Sequence, residues 1–182
     1  IRAGSGTDTI DGGAGSDTYD ALNSSSLPEE EISVTVDQAG DGTVAKTGDA
    51  TTDTVTSVES FIAGEADGQT DAISFTGNID RNTISGLSDD AVGIFTPANG
   101  GDPIAFGGAG QPTINQLLSG AHDPGTGVIK PKGTYEITSG EEDGAQVGNI
   151  SFSNFEQASF RVPCCGHGAL IDTAHGPRRV QA

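Results

Sequence analysis

The apolar residues of this chain stand singly between polar ones, at short strand-like spacings. Ile1, Ile10 and Tyr19 fall nine residues apart, with Thr, Asp or Arg beside each. Ile32-Ser33-Val34-Thr35-Val36 alternates strictly, as a half-buried strand does. Asp53–Ile62 gives a second strand region, and Ile73–Ile84 further short strands. The stretch 89–110 reads as loop-rich, with apolar islands at Val92–Phe95 and Ile104–Phe106, and Asp37–Asp53 reads as one long turn-rich segment. Gly133–Ser139 and Val147–Phe155 read as two antiparallel strands joined by the acidic loop 140–144. Thr113–Ser119 is the one helix expected, of two turns at most. Thr113 caps its start and Gly120 follows its end. The pattern predicts an all-β, loop-rich fold with at most one short helix.

The first twenty residues carry a repeat. Ala3–Asp11 and Gly12–Asp20 are two copies of one nine-residue unit, with small residues at positions one, two and four, Asp at six and an apolar residue at eight. Ile1 and Arg2 fit the last two positions of an earlier copy. Glycines at these positions allow turns that a Cβ would forbid, and such turns aim carbonyl oxygens inward beside an Asp carboxylate. A hard cation taking six to eight oxygens suits that donor set. The units resemble the calcium-binding nonapeptide of the repeats-in-toxin family, G-G-x-G-x-D-x-U-x with U apolar. The resemblance implies a short right-handed parallel β-roll at the N-terminus, with calcium held by Gly4, Gly6, Asp8, Gly13, Gly15 and Asp17. It also implies that each ion sits between turns two units apart. Ala21–Ser26, the expected partner of the first turn, lacks the glycines and the Asp, so half-sites are expected. Asp53–Ile62 resembles the D-T-L-x-x-I-E segment that interrupts such arrays. Gly68–Ile73 resembles a degraded repeat, which makes Asp71 a further candidate ligand.

Charge sharpens this reading. The chain has 26 acidic against 8 basic residues, a net charge of −18, and 28 glycines in 182 residues. Such acidity opposes nucleic acid and anionic membranes and favours divalent cations. No run approaches the roughly 18 apolar residues that span a membrane. The two cysteines are adjacent, so no disulfide framework is indicated.

The tail carries a different chemistry. Val162-Pro163-Cys164-Cys165, with Gly168, Ile171 and Thr173, resembles the opening of a Hint (hedgehog/intein) self-processing domain. There the first cysteine attacks the preceding carbonyl to form a thioester. The resemblance makes Cys164 the candidate nucleophile, with the remainder of such a domain needed to activate it. Segments follow as 1–20, roll repeats; 21–84, a β-rich region with the degraded repeat; 85–161, a β-rich region before the tail; and 162–182, the Hint-like start. No H-E-x-x-H or G-x-S-x-G motif occurs. The leading expectation is a non-enzymatic, secreted, calcium-binding structural or adhesion module of a larger bacterial protein. Its open roll would allow head-to-tail homo-oligomers or filaments. The alternatives are the host segment of an autoprocessing protein cut before Cys164, and a passenger enzyme with a site of another kind.

Overall fold

The computed structural model describes residues 1–21, 31–48, 50–64, 70–120, 132–139 and 144–163, and the backbone of two further pairs, 170–171 and 178–179. The chain begins with β1 (Thr9–Asp11) and β2 (Thr18–Asp20), then β3 (Ile32–Val36), β4 (Gly42–Lys46), β5 (Thr51–Thr56), β6 (Ser60–Ile62) and β7 (Ala72–Phe75). A 3₁₀ turn, Arg81–Thr83, leads to β8 (Val92–Pro97), β9 (Ile104–Phe106), the helix α1 (Ile114–Ser119) and β10 (Gly133–Ser139). Then come β11 (Ala145–Val147), β12 (Ile150–Ser153), β13 (Gln157–Val162), β14 (Leu170–Ile171) and β15 (Arg178–Arg179). The fold is all-β. Among the described residues no helix is long and apolar enough to cross a membrane.

Two sheets form the body. The first has nine strands in the order β1-β5-β4-β3-β7-β13-β10-β8-β9, and the second has four, β11-β12-β6-β2. The chain passes between them repeatedly. β1 lies in the first and β2 in the second; β5, β6 and β7 lie in first, second and first; β12 and β13 in second and first. These coils stack in parallel through β1–β5, β3–β7 and β7–β13 on one side and β2–β6 and β6–β12 on the other. Only short strands are possible where the chain turns back so soon. Their single inward residues, Ile10, Tyr19 and Phe61, are buried accordingly. The far end of the stack is closed by antiparallel pairs, β13–β10–β8–β9 and β12–β11. Among the described residues β1 has a neighbouring strand on one side only.

One core lies between the sheets, running from Ala3 to Val162. Strands from segments 1–20, 21–84 and 85–161 all contribute to it. Phe75 and Phe152, from opposite sheets, meet at 5.5 Å. Phe95, Tyr135 and Phe160 occupy one register across β8, β10 and β13, with centroids 4.6 and 5.2 Å apart. Such cross-strand aromatic pairs stabilise a sheet beyond the area they bury.

Several expectations are met and others corrected. The helix has its capping box, Thr113 with Gln116, and ends at Gly120 in the left-handed conformation. The apolar islands at 92–95 and 104–106 are strands β8 and β9, paired with each other. Asp37–Asp53 is not merely turns. It holds β4 and the start of β5, and an inward-facing Lys46 disguised the alternation of β4. Val147–Phe155 does not pair with Gly133–Ser139. β10 joins β13 and β8, while β11 and β12 form a hairpin in the other sheet across Gly148, at φ 65°.

Candidate functional site

The nine-residue unit steps from one sheet to the other. Ile1 lies beside Tyr19: its amino group donates to Thr18 O, and Asp20 N–H donates to Ile1 O at 2.9 Å. Those residues are two units apart, while Ile10 lies one unit away in the opposite sheet. Going forward, the neighbour of β1 is β5 and the neighbour of β2 is β6, while residues 22–26 of the expected partner segment lie outside the described residues. The β3–β4 hairpin is inserted between one coil and the next.

A carboxylate recurs at the corner of each coil. The residue before β1 is Asp8, and its N–H donates to Asp53 Oδ1 at 2.9 Å. The residue before β2 is Asp17, and its N–H donates to Glu59 Oε2 at 2.9 Å. The residue before β7 is Asp71, and its N–H donates to Glu156 Oε2 at 2.7 Å. Each acceptor occupies the register position next to its donor in the stack. Such charge-assisted bonds satisfy N–H groups that the turns would otherwise leave unpaired. Ser57 and Asn154, two residues before Glu59 and before Glu156, share a left-handed conformation at φ 52° and 61°. Val58 and Phe155, which follow them, are both buried. Ser57-Val58-Glu59 and Asn154-Phe155-Glu156 are thus one corner device used twice.

The two glycine-rich turns are filled differently. In the first, the Lys46 ammonium donates to Gly4 O at 3.0 Å, Gly6 O at 2.6 Å and Asp53 Oδ1 at 2.8 Å. Lys46 is 1% exposed and Asp53 0%. Tyr19 Oη donates to the other Asp53 oxygen at 3.1 Å. In the second turn Gly13 and Gly15 have φ of 82° and 136°, a region open to glycine but costly to other residues. Their carbonyls meet no donor among the described residues. Asp17 and Glu59 stand beside them, both half-buried. Among the described residues there is no group of three or more His, Cys, Asp or Glu side chains arranged for a metal. At the first turn, two of the three oxygens gathered around the ammonium are backbone carbonyls.

Asp71 is placed differently. It is buried, and its two oxygens accept N–H groups from Ile32 at 2.7 Å and Gly64 at 3.1 Å. Burial, against the Ile32 and Gly64 N–H groups and helped by the negative charges of Glu156 and Glu31, pushes its carboxyl up from 3.8 to about 6. The folded chain therefore binds this proton more tightly than the unfolded chain. Its stabilising contribution is fully present below pH 3.8 and is lost as pH rises through about 6, a change of about 3 kcal/mol. Melting of wild type and Asp71→Asn between pH 4 and 7 should show the wild-type advantage shrinking as pH rises. An advantage that grows with pH contradicts this assignment.

Cys164 lies outside the described residues. β14 and β15 beyond it form a small antiparallel pair. No protein-family model, curated protein or solved structure matches this chain.

Proposed function

We propose that this chain is a structural, non-catalytic module of a larger secreted bacterial protein, a calcium-responsive roll of the repeats-in-toxin kind. The observation that carries this reading is the alternation of Ile1, Ile10 and Tyr19 between stacked sheets, at the nine-residue period of the glycine-rich turns. Calcium binds at the second turn, through the carbonyls of Gly13 and Gly15 and the carboxylate of Asp17, with two further anions at the turn: Asp11, which accepts the Gly13 N–H, and Glu59 of the next coil, which accepts the Asp17 N–H. Glu59 holds the place that Asp53 holds beside the first turn. The open β1 side then receives another parallel coil, either from the same protein or from a second copy. Calcium lowers the charge repulsion that opposes this stacking.

Calorimetry with CaCl2 should give a dissociation constant in the weak extracellular range of roughly 10⁻⁴–10⁻³ M. The heat should vanish in Asp17→Ala. Submicromolar binding, or binding that survives Asp17→Ala, contradicts the site. Light scattering in the same titration reads the stacking, and a chain that stays monomeric throughout rules out self-assembly.

A further inference from the structure

The first turn holds a complete cage around a positive charge. An ammonium has three N–H donors, and all three of Lys46 are used, on Gly4 O, Gly6 O and Asp53 Oδ1 between 2.6 and 3.0 Å. The three acceptors are hard oxygens, and one belongs to a carboxylate. The side chain is 1% exposed, so the charge is held by protein oxygens and not by bulk water. The acceptors come from distant parts of the chain: Gly4 and Gly6 from the repeat, Asp53 from β5, and the cation from β4, which the hairpin insertion supplies. Asp53 is held independently of the lysine, by Asp8 N–H on the same Oδ1 and by Tyr19 Oη on Oδ2. The anion would therefore keep its position if the ammonium were removed.

We infer that the Lys46 ammonium is a cation tethered within the chain that fills a metal-type oxygen cage, so that the first coil closes without a free ion, and that deleting the lysine side chain exposes a cryptic calcium site at Gly4, Gly6 and Asp53. Calcium–oxygen distances of 2.3–2.6 Å need only a slight contraction of the cage, and the emptied stem leaves room for the water ligands of an ion that takes six to eight oxygens. Magnesium, which demands a tight octahedron and gives up water reluctantly, fits poorly. Calcium at Gly13, Gly15 and Asp17 is a separate event, and the test removes it.

Both arms of the experiment therefore carry Asp17→Ala. Thermal melting is followed for Asp17→Ala and for Asp17→Ala with Lys46→Ala, in 10 mM CaCl2, in 10 mM MgCl2 and in NaCl of equal ionic strength. The lysine-free chain should melt lower in NaCl, and calcium should raise its midpoint by about 3–10 °C, as a site in the 10⁻⁴–10⁻³ M range would. Calcium should leave the lysine-containing chain unmoved. Adding Asp53→Asn to the lysine-free chain should abolish the calcium response. Equal responses in the two arms, equal rescue by NaCl or MgCl2, or a lysine-free chain that stays unfolded at every calcium concentration would each overturn the inference.

Discussion

Asp53→Ala should lower stability by about 3–5 kcal/mol, because it strands a buried ammonium. Lys46 would keep two carbonyl partners but lose its only counter-ion among the described residues, at a side chain 1% exposed. Asp8 N–H and Tyr19 Oη would lose their acceptor in the same step. An exposed ion pair would cost about 1 kcal/mol or less to break, so burial decides the size of the effect. At 182 residues, the midpoint of melting should fall by about 6–20 °C. Replacing both partners, Lys46→Met with Asp53→Leu, should be milder than Asp53→Ala, because no unpaired charge remains buried. Urea denaturation of the three chains measures this. An Asp53→Ala loss under about 1 kcal/mol would show that the pair is solvated and the cage open.

Gly40→Ala is the second large effect. Gly40 has φ of 79°, and an added Cβ would lie 2.1 Å from Val58 O and 2.6 Å from Val58 N. Both contacts are backbone, so no side chain can swing away. The two residues are also tied by Val58 N–H donating to Gly40 O at 3.3 Å. The contact presses the β3–β4 hairpin onto the Ser57-Val58-Glu59 corner. The left-handed conformation alone costs alanine roughly 1–2 kcal/mol, and separating packed backbone should bring the total to about 4 kcal/mol or more. Gly100 is the internal control. Its φ is also 79°, and nothing lies within 4 Å of the added Cβ. Gly100→Ala should therefore show the conformational cost alone. Equal losses at the two positions would mean that the corner contact is loose.

What was legible in the sequence follows from what periodicity can encode. Repeating glycines and single apolar residues mark a turn and an inward position, so the alternation of Ile10 and Tyr19 between sheets could be read in advance. The helix was legible because Thr113, Gln116 and Gly120 act locally. The β4 strand was hidden because its inward face carries Lys46 where an apolar residue is expected, and a lysine ordinarily marks the wet face. The same oddity was the available signal: in a chain with 8 basic residues, a lysine in register with Val44 asks for a buried anion. The pairing of β10 with β13 and β8 was illegible because acidic loops announce hairpins whatever sheet the next strand joins. Glu59 and Glu156 were missed as site residues because their role depends on the neighbouring coil. Only the repeated polar–apolar–Glu triplet hints at it. Asp71 was legible as the acid of a degraded repeat and a candidate ligand, but not as a buried acceptor for the N–H groups of Ile32, from β3, and Gly64, just past β6.

The most direct test is a residue-resolved amide NMR titration of the wild-type chain with CaCl2. The account predicts that the resonances of Gly13–Asp17 and Glu59 shift together and saturate at millimolar calcium, while those of Gly4–Asp8, closed by Lys46, stay still. Shifts that begin at the first turn, or that spread evenly over the acidic surface with no preference for the second, would contradict it.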